Sequence, residues 1–188
     1  RGIFPWGNEC YLRSDMYHQY APFFSELWHK IRNGESLTYS WNIGMGTNFT
    51  SLFAYYLASP SNWFVALFPQ KYTIEIMNAF IILKIAGSSL SLTYYLTKHN
   101  NNKHVIAAIF GMFYGMSGFI AAYSWNIMWL DCVILIPLIM LGLERLVNEN
   151  RCIFYCITLG LCIFTNYYIA IMVCLSVVIY YVVLMIAY

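Results

Sequence analysis

From residue 73 onward the chain is a succession of long apolar runs separated by short polar breaks, and no other feature restricts its fold as much. Runs of about twenty residues match the length a helix needs to cross about 30 Å of hydrocarbon at about 1.5 Å per residue. Inside lipid every backbone N–H and C=O must be satisfied by the protein itself, which selects helices for such runs. The chain is 61% hydrophobic and 10% charged, whereas soluble domains carry about 25% charged residues. The net charge of +2 is too small to mark a nucleic-acid partner. The expected class is all-α, a polytopic transmembrane helical bundle.

The apolar runs predict spans at about 73–97, 104–123, 127–147, 152–165 and 167–188, the last two divided at Asn166. Residues 71–188 then form the bundle, and residues 1–70 a loop carrying interfacial and re-entrant helices. The chain starts at Arg1 and ends inside an apolar run, so it reads as truncated at both ends. Lys98 to Lys103 make one basic connection, and Arg145 and Arg151 flank another; the connections at Ser124–Asn126 and Asn166 carry no Lys or Arg. Basic loops face the cytoplasm, which makes residues 1–70 extracytoplasmic in a cell membrane.

Within that loop Pro5, Gly7 and Asn8 are turn residues, and Ser14 suits a helix cap with Asp15 in the first turn. Helical spacing puts Asp15, His18, Gln19 and Pro22 on one face. Pro22 is expected to open a second helix that ends at Gly34. Phe23, Phe24, Leu27, Trp28 and Ile31 form its apolar stripe, opposite Ser25, Glu26, His29, Lys30 and Arg32. It is too short to span and should lie in the interface with its aromatics among the headgroups. Trp41 falls in a Gly- and Asn-rich loop over 35–49. Residues 51–68, broken at Ser59-Pro60-Ser61, read as a hairpin or a re-entrant pair of short helices.

The stretch Arg13-Ser-Asp-Met-Tyr-His-Gln-Tyr20 gathers an acid, a His, a Gln and two Tyr in a mostly apolar chain. It reads as the polar mouth of a membrane-embedded site with Asp15 at its centre. The topology puts Trp125, Asn126, Asp131 and Asn166 at the same end. Asp131 lies about one turn inside a span, where a carboxylate faces protein or a wet cavity. It is either a second acid in the Asp15 site or a helix-end acid that reaches water or pairs with a Lys from the loop. Lys84, near the middle of a span, is too deep to snorkel out. No acid is evident at its depth, so its partner is expected outside these residues, as an ion pair or as substrate. His18 reads as a base, a metal ligand or a plain interfacial residue. Tyr17, Tyr20, Trp41 and Trp125 suit either sugar stacking or an interfacial belt. Glu144 and Arg145 read as anchors, and His99 has no assigned role. The six Cys form no complete ligand set; five, Cys132, Cys152, Cys156, Cys162 and Cys174, lie in apolar runs and read as small buried hydrophobes, while Cys10 stands in a polar segment without an evident partner. No cofactor is assigned, and a divalent metal stays open.

The block Ser14-Asp15-Met16-Tyr17-His18-Gln19-Tyr20, followed by Pro22-Phe23-Phe24, resembles the bacterial YfhO family of multispan membrane proteins. Further blocks agree: Gly34-Glu35-Ser36-Leu37, Gly44-Met45-Gly46, Leu52-Phe53-Ala54-Tyr55-Tyr56-Leu57-Ala58-Ser59-Pro60, Met128-Trp129-Leu130-Asp131 and Asn166-Tyr167-Tyr168-Ile169. That family is similar to the C-type membrane glycosyltransferases. The resemblance implies an extracytoplasmic first loop with surface helices and a catalytic Asp at the position of Asp15. It also implies transfer of a sugar from a polyprenyl phosphate, embedded in membrane lipid, to a cell-envelope polymer such as teichoic acid. His18, Gln19, Tyr17, Trp41, Asp131, Asn166 and Lys84 are the candidate substrate contacts. The rival class is a transporter or flippase of lipid-linked envelope precursors, which would line a path across the membrane with acids. A third reading is a noncatalytic envelope scaffold.

Overall fold

The computed structural model describes residues 2, 7, 9–10, 12, 15–100 and 104–187. Arg13, Ser14 with its expected cap, Pro5, Asn8 and Lys103 lie outside the described residues. The described chain is nearly all helical, with one two-stranded hairpin, Tyr39–Ser40 (β1) antiparallel to Thr47–Asn48 (β2). Among the described residues four helices are long and apolar enough to cross a membrane: Gln70–His99, His104–Tyr123, Ile127–Glu149 and Tyr167–Ile186.

The chain does not break at Pro22. A π turn over Met16–Tyr20 leads directly into α1, Ala21–Asn33. Proline lacks the N–H that an α-helix needs and clashes with the carbonyl four residues back. The turn before it widens instead, Ala21 N–H bonding to Met16 O, so that the helix continues. Gly34, at φ 66°, ends α1 in the left-handed conformation that glycine adopts without strain.

The face of α1 expected to be solvated is partly covered. Glu26 and Lys30 are buried with Phe24 and Leu27. The loop after α1 folds back over them: Ser40 Oγ donates to Glu26 Oε1 at 2.6 Å and Asn42 Nδ2 to Oε2 at 3.0 Å. Lys30 Nζ donates to the Ser36 and Tyr39 carbonyls at 3.0 and 2.9 Å and lies over the Phe49 ring. Burial alone would raise the Glu26 carboxyl, but these two donors and the Lys30 charge outweigh it and hold it below its usual range. The apolar stripe meets protein as well: Phe24 and Leu27 pack with Phe49, Leu57, Val65, Met77 and Ile81 in one core.

The next segment is a pair of short helices. α2, Phe49–Leu52, runs into a second π turn, Phe53–Leu57; the chain breaks at Ser59 and resumes as a 3-10 helix over Pro60–Leu67. The broken backbone at Ser59 is buried. It is tolerable there because protein encloses it: Asn62 N–H bonds to Ser59 O, and Asn62 Nδ2 to Leu57 O.

α3 (Thr73–His99), α4 (His104–Gly115) and α5 (Gly118–Tyr123) precede α6 (Ile127–Glu149). α3 and α6 run parallel, because Lys84 meets Ile127 and Asp131 while Tyr95 and His99 meet Glu144. At about 1.5 Å per residue the first turns of α3 therefore rise roughly 16 Å beyond the start of α6. That overhang, with Met77 and Ile81, is what packs with α1. α7 (Ile153–Thr165) has 13 residues, about 20 Å, shorter than the hydrocarbon it was expected to span. Asn166 breaks the helix with φ −160° and α8 (Tyr167–Ala187) returns. The short-helix pair closes over this turn. A second core, with Cys132, Ile139, Leu143, Cys162 and Val173, fills α6–α8. Cys132 and Cys162 are buried there, whereas Cys152 and Cys156 are exposed on the bundle surface, contrary to the reading of all five apolar-run cysteines as buried.

Candidate functional site

Asp15 stands at the head of the π turn, half-buried. Among the described residues its carboxylate makes no hydrogen bond, yet its charge reaches two phenols. Burial first, then the Asp15 carboxylate, pushes Tyr20 above its usual range; burial, then Tyr55 and Asp15, does the same to Tyr56. Both phenols stay protonated and act as donors. Tyr20 donates to Asn126 Oδ1 at 2.8 Å and Tyr56 to Gln19 Oε1 at 3.2 Å.

These bonds belong to a closed circuit of rings. Tyr20 stacks on Trp125, with centroids 6.1 Å apart, and meets Tyr56 at 5.5 Å. Tyr56 meets Tyr55 at 4.6 Å, Tyr55 reaches Tyr168 at 6.3 Å, and Tyr168 stacks on Trp129 at 6.3 Å. Trp129 lies one turn along α6 from Asn126, which closes the circuit. Asn126 Nδ2 and Trp129 Nε1 are buried donors that find no partner among the described residues. Tyr20, Trp125 and Asn126 were legible as polar or aromatic residues at this end. Tyr55, Tyr56, Trp129 and Tyr168 were missed, although the paired tyrosines 55–56 and 167–168 beside chain breaks were a signal.

The face expected to hold Asp15, His18, Gln19 and Pro22 together is divided, because the π turn changes the angular spacing. Gln19 goes with Asp15 toward the rings. Tyr17 and His18, both exposed and 5.1 Å apart, line a cavity of about 530 Å³ with Leu12, Pro22, Lys71 and Ile74. Trp41 is not brought to either place. It is 77% exposed, packs edge-on with Tyr39, and sits on the loop clipped to Glu26, roughly 16 Å along the helix from Asp15.

Lys84 corrects the sequence reading most clearly. Its partner is within the chain: Nζ donates to Asp131 Oδ2 at 2.7 Å, to Ile127 O at 3.2 Å and to Ser59 Oγ at 3.4 Å. The error was one of depth. The overhang of α3 brings the middle of that helix level with the start of α6. Asp131 is correspondingly committed to Lys84, and no contact among the described residues joins it to Asp15. Asn166, fully buried, donates to Tyr55 O at 3.0 Å and accepts from Ile169 N–H at 2.9 Å, so it caps α8 and ties down the short-helix pair.

Among the described residues no three His, Cys, Asp or Glu side chains converge as a metal site. With Asp131 held by Lys84, the described donors around Asp15 do not make a ligand set.

Four spanning-length helices and a folded polar end define a helical membrane protein with a candidate site at one end of its bundle. Comparison with known families matches residues 1–188 to the family described as bacterial membrane protein YfhO. The chain belongs to that family. No curated protein and no solved structure matches it significantly.

Proposed function

We propose that the protein is a membrane glycosyltransferase. It moves a sugar from a polyprenyl-phosphate donor to a cell-envelope polymer such as teichoic acid, and the end carrying Asp15 faces outward. The observation that carries the reading is Asp15 itself: a carboxylate without a hydrogen bond among the described residues, beside protonated phenols and buried unpartnered N–H donors, at the end of a membrane bundle. An acceptor hydroxyl gives its proton to Asp15 as its oxygen attacks the anomeric carbon. The bond from that carbon to the phosphate oxygen breaks, and polyprenyl phosphate leaves with the electron pair. The attack comes from the face opposite the phosphate, so configuration inverts. A general base of this kind contributes about 10²–10⁴-fold.

Tyr17 and His18, with the cavity they line, are assigned to the donor head, and Gln19 to orientation of the sugar. Lys84, Asp131 and Asn166 act through the fold, holding the short-helix pair over the site. Trp41 is assigned to the acceptor polymer, because its ring is open to solvent. The test is transfer of labelled sugar from a panel of polyprenyl-phosphate donors by membranes containing the full-length protein, with a lipid-flipping assay beside it. Incorporation into polymer supports the reading. Flipping without incorporation would replace it with the transporter reading.

A further inference from the structure

A second polar cluster lies at the other end of the bundle, where α3, α6 and α8 come level. Glu144, 8% exposed, accepts from Tyr95 Oη at 2.7 Å and from Tyr180 Oη, and faces His99 Nδ1 at 3.1 Å. One carboxylate thus ties three helices. Beside it is a cavity of about 300 Å³ whose lining includes Lys98, His99, Arg145, Leu141 and Leu184.

The lining holds two cations, Lys98 and Arg145, and two carboxylates, Glu144 and Glu149, but the carboxylates are engaged by other groups. Glu144 is matched by two hydroxyls and His99, and Glu149, also on the lining, pairs with Arg151 at 3.5 Å. Lys98 and Arg145 lie over the rings of Tyr94 and Phe154, at 5.9 and 5.3 Å, and neither has an ion-pair partner among the described residues. A ring face at an exposed site holds a cation only weakly, so both cations remain available to an anion. The cavity opens at the helix ends, where headgroups lie, and Leu141 and Leu184 give it an apolar wall facing the bundle. Basic pockets between membrane helices at this depth suit lipid phosphate.

We propose that this cavity binds the headgroup of an anionic phospholipid, its phosphate held by Lys98 and Arg145 and its first acyl carbons against Leu141 and Leu184. The ligand chemistry is a phosphate monoanion carrying a hydrocarbon tail. The site is independent of the transferase reading and stands if that reading fails.

The test is native mass spectrometry of the full-length protein, stripped of lipid and titrated with phosphatidylglycerol, phosphatidylcholine or inorganic phosphate. The expected result is phosphatidylglycerol binding at least tenfold tighter than phosphatidylcholine, with no competition by inorganic phosphate at matched concentration. Lys98→Gln with Arg145→Gln should abolish the preference. Arg32→Gln, at the opposite end of the bundle, should leave it intact. Equal binding of the two lipids by the wild type would overturn the proposal without recourse to a variant. Full competition by inorganic phosphate would make this a free-anion site and overturn the lipid assignment.

Discussion

Lys84 and Asp131 show what one residue pair can decide in this fold. A buried ammonium and a partly buried carboxylate 2.7 Å apart make a pair whose net worth is small, but breaking it strands the other charge. Lys84→Met should therefore destabilise the protein by about 3–5 kcal/mol. The double variant Lys84→Met, Asp131→Leu should recover most of that loss, because neither charge is then left alone. Unfolding midpoints of the four proteins in one detergent check this as a double-mutant cycle. Additive losses would mean that the two side chains do not meet. That Lys84 needed a partner was legible from its place in an apolar run. Which partner was not, since the pairing depends on how far α3 overhangs α6, a relation between two helices that neither sequence segment carries.

At the scale of elements, α4 packs on α3 through Gly111 and Gly115, four residues apart, the spacing that lets membrane helices approach closely. A Cβ on Gly111 would lie 2.0 Å from Thr93 Oγ1 and 2.6 Å from the Ser89 carbonyl; one on Gly115 would lie 1.9 Å from Ser89 Oγ. Gly111→Leu should separate the helices and cost about 1–3 kcal/mol or more. Gly160→Ala, which meets nothing within 4 Å, should be neutral or raise the midpoint. The loop clip on α1 gives a pH signature. Because the folded Glu26 carboxyl is held below its unfolded value of about 4.5, its contribution is full above that pH and is lost as pH falls from there through the lower folded value. Glu26→Gln should accordingly lower the thermal midpoint at pH 7, and the gap to wild type should narrow as pH falls below about 4.5. A constant gap would show that the carboxylate charge is not what holds the loop. The span positions were legible because apolar runs announce themselves. The folding of residues 35–67 onto α1 was not, because its donors are ordinary loop residues such as Ser40 and Asn42, whose partners lie more than a dozen residues away.

The described residues form two cores and two polar ends. One core joins the loop helices to the overhang of α3; the other fills the bundle of α6, α7 and α8. The short-helix pair joins them, with Ser59 near Lys84 and the Tyr55 carbonyl bonded to Asn166. The polar stretch that holds Asp15, the proposed base, was legible because it stands out in an apolar chain. The ring circuit around it was not, because Tyr20, Tyr55, Trp129 and Tyr168 come from four separate segments. The central claim is that Asp15 removes the acceptor proton. The most direct measurement is single-turnover transfer by full-length wild type, Asp15→Asn and Asp15→Glu, each preloaded with the same labelled polyprenyl-phosphate sugar. Asp15→Asn should still retain donor but transfer at least a hundredfold more slowly, with partial recovery in Asp15→Glu. Transfer by Asp15→Asn at the wild-type rate would contradict that claim.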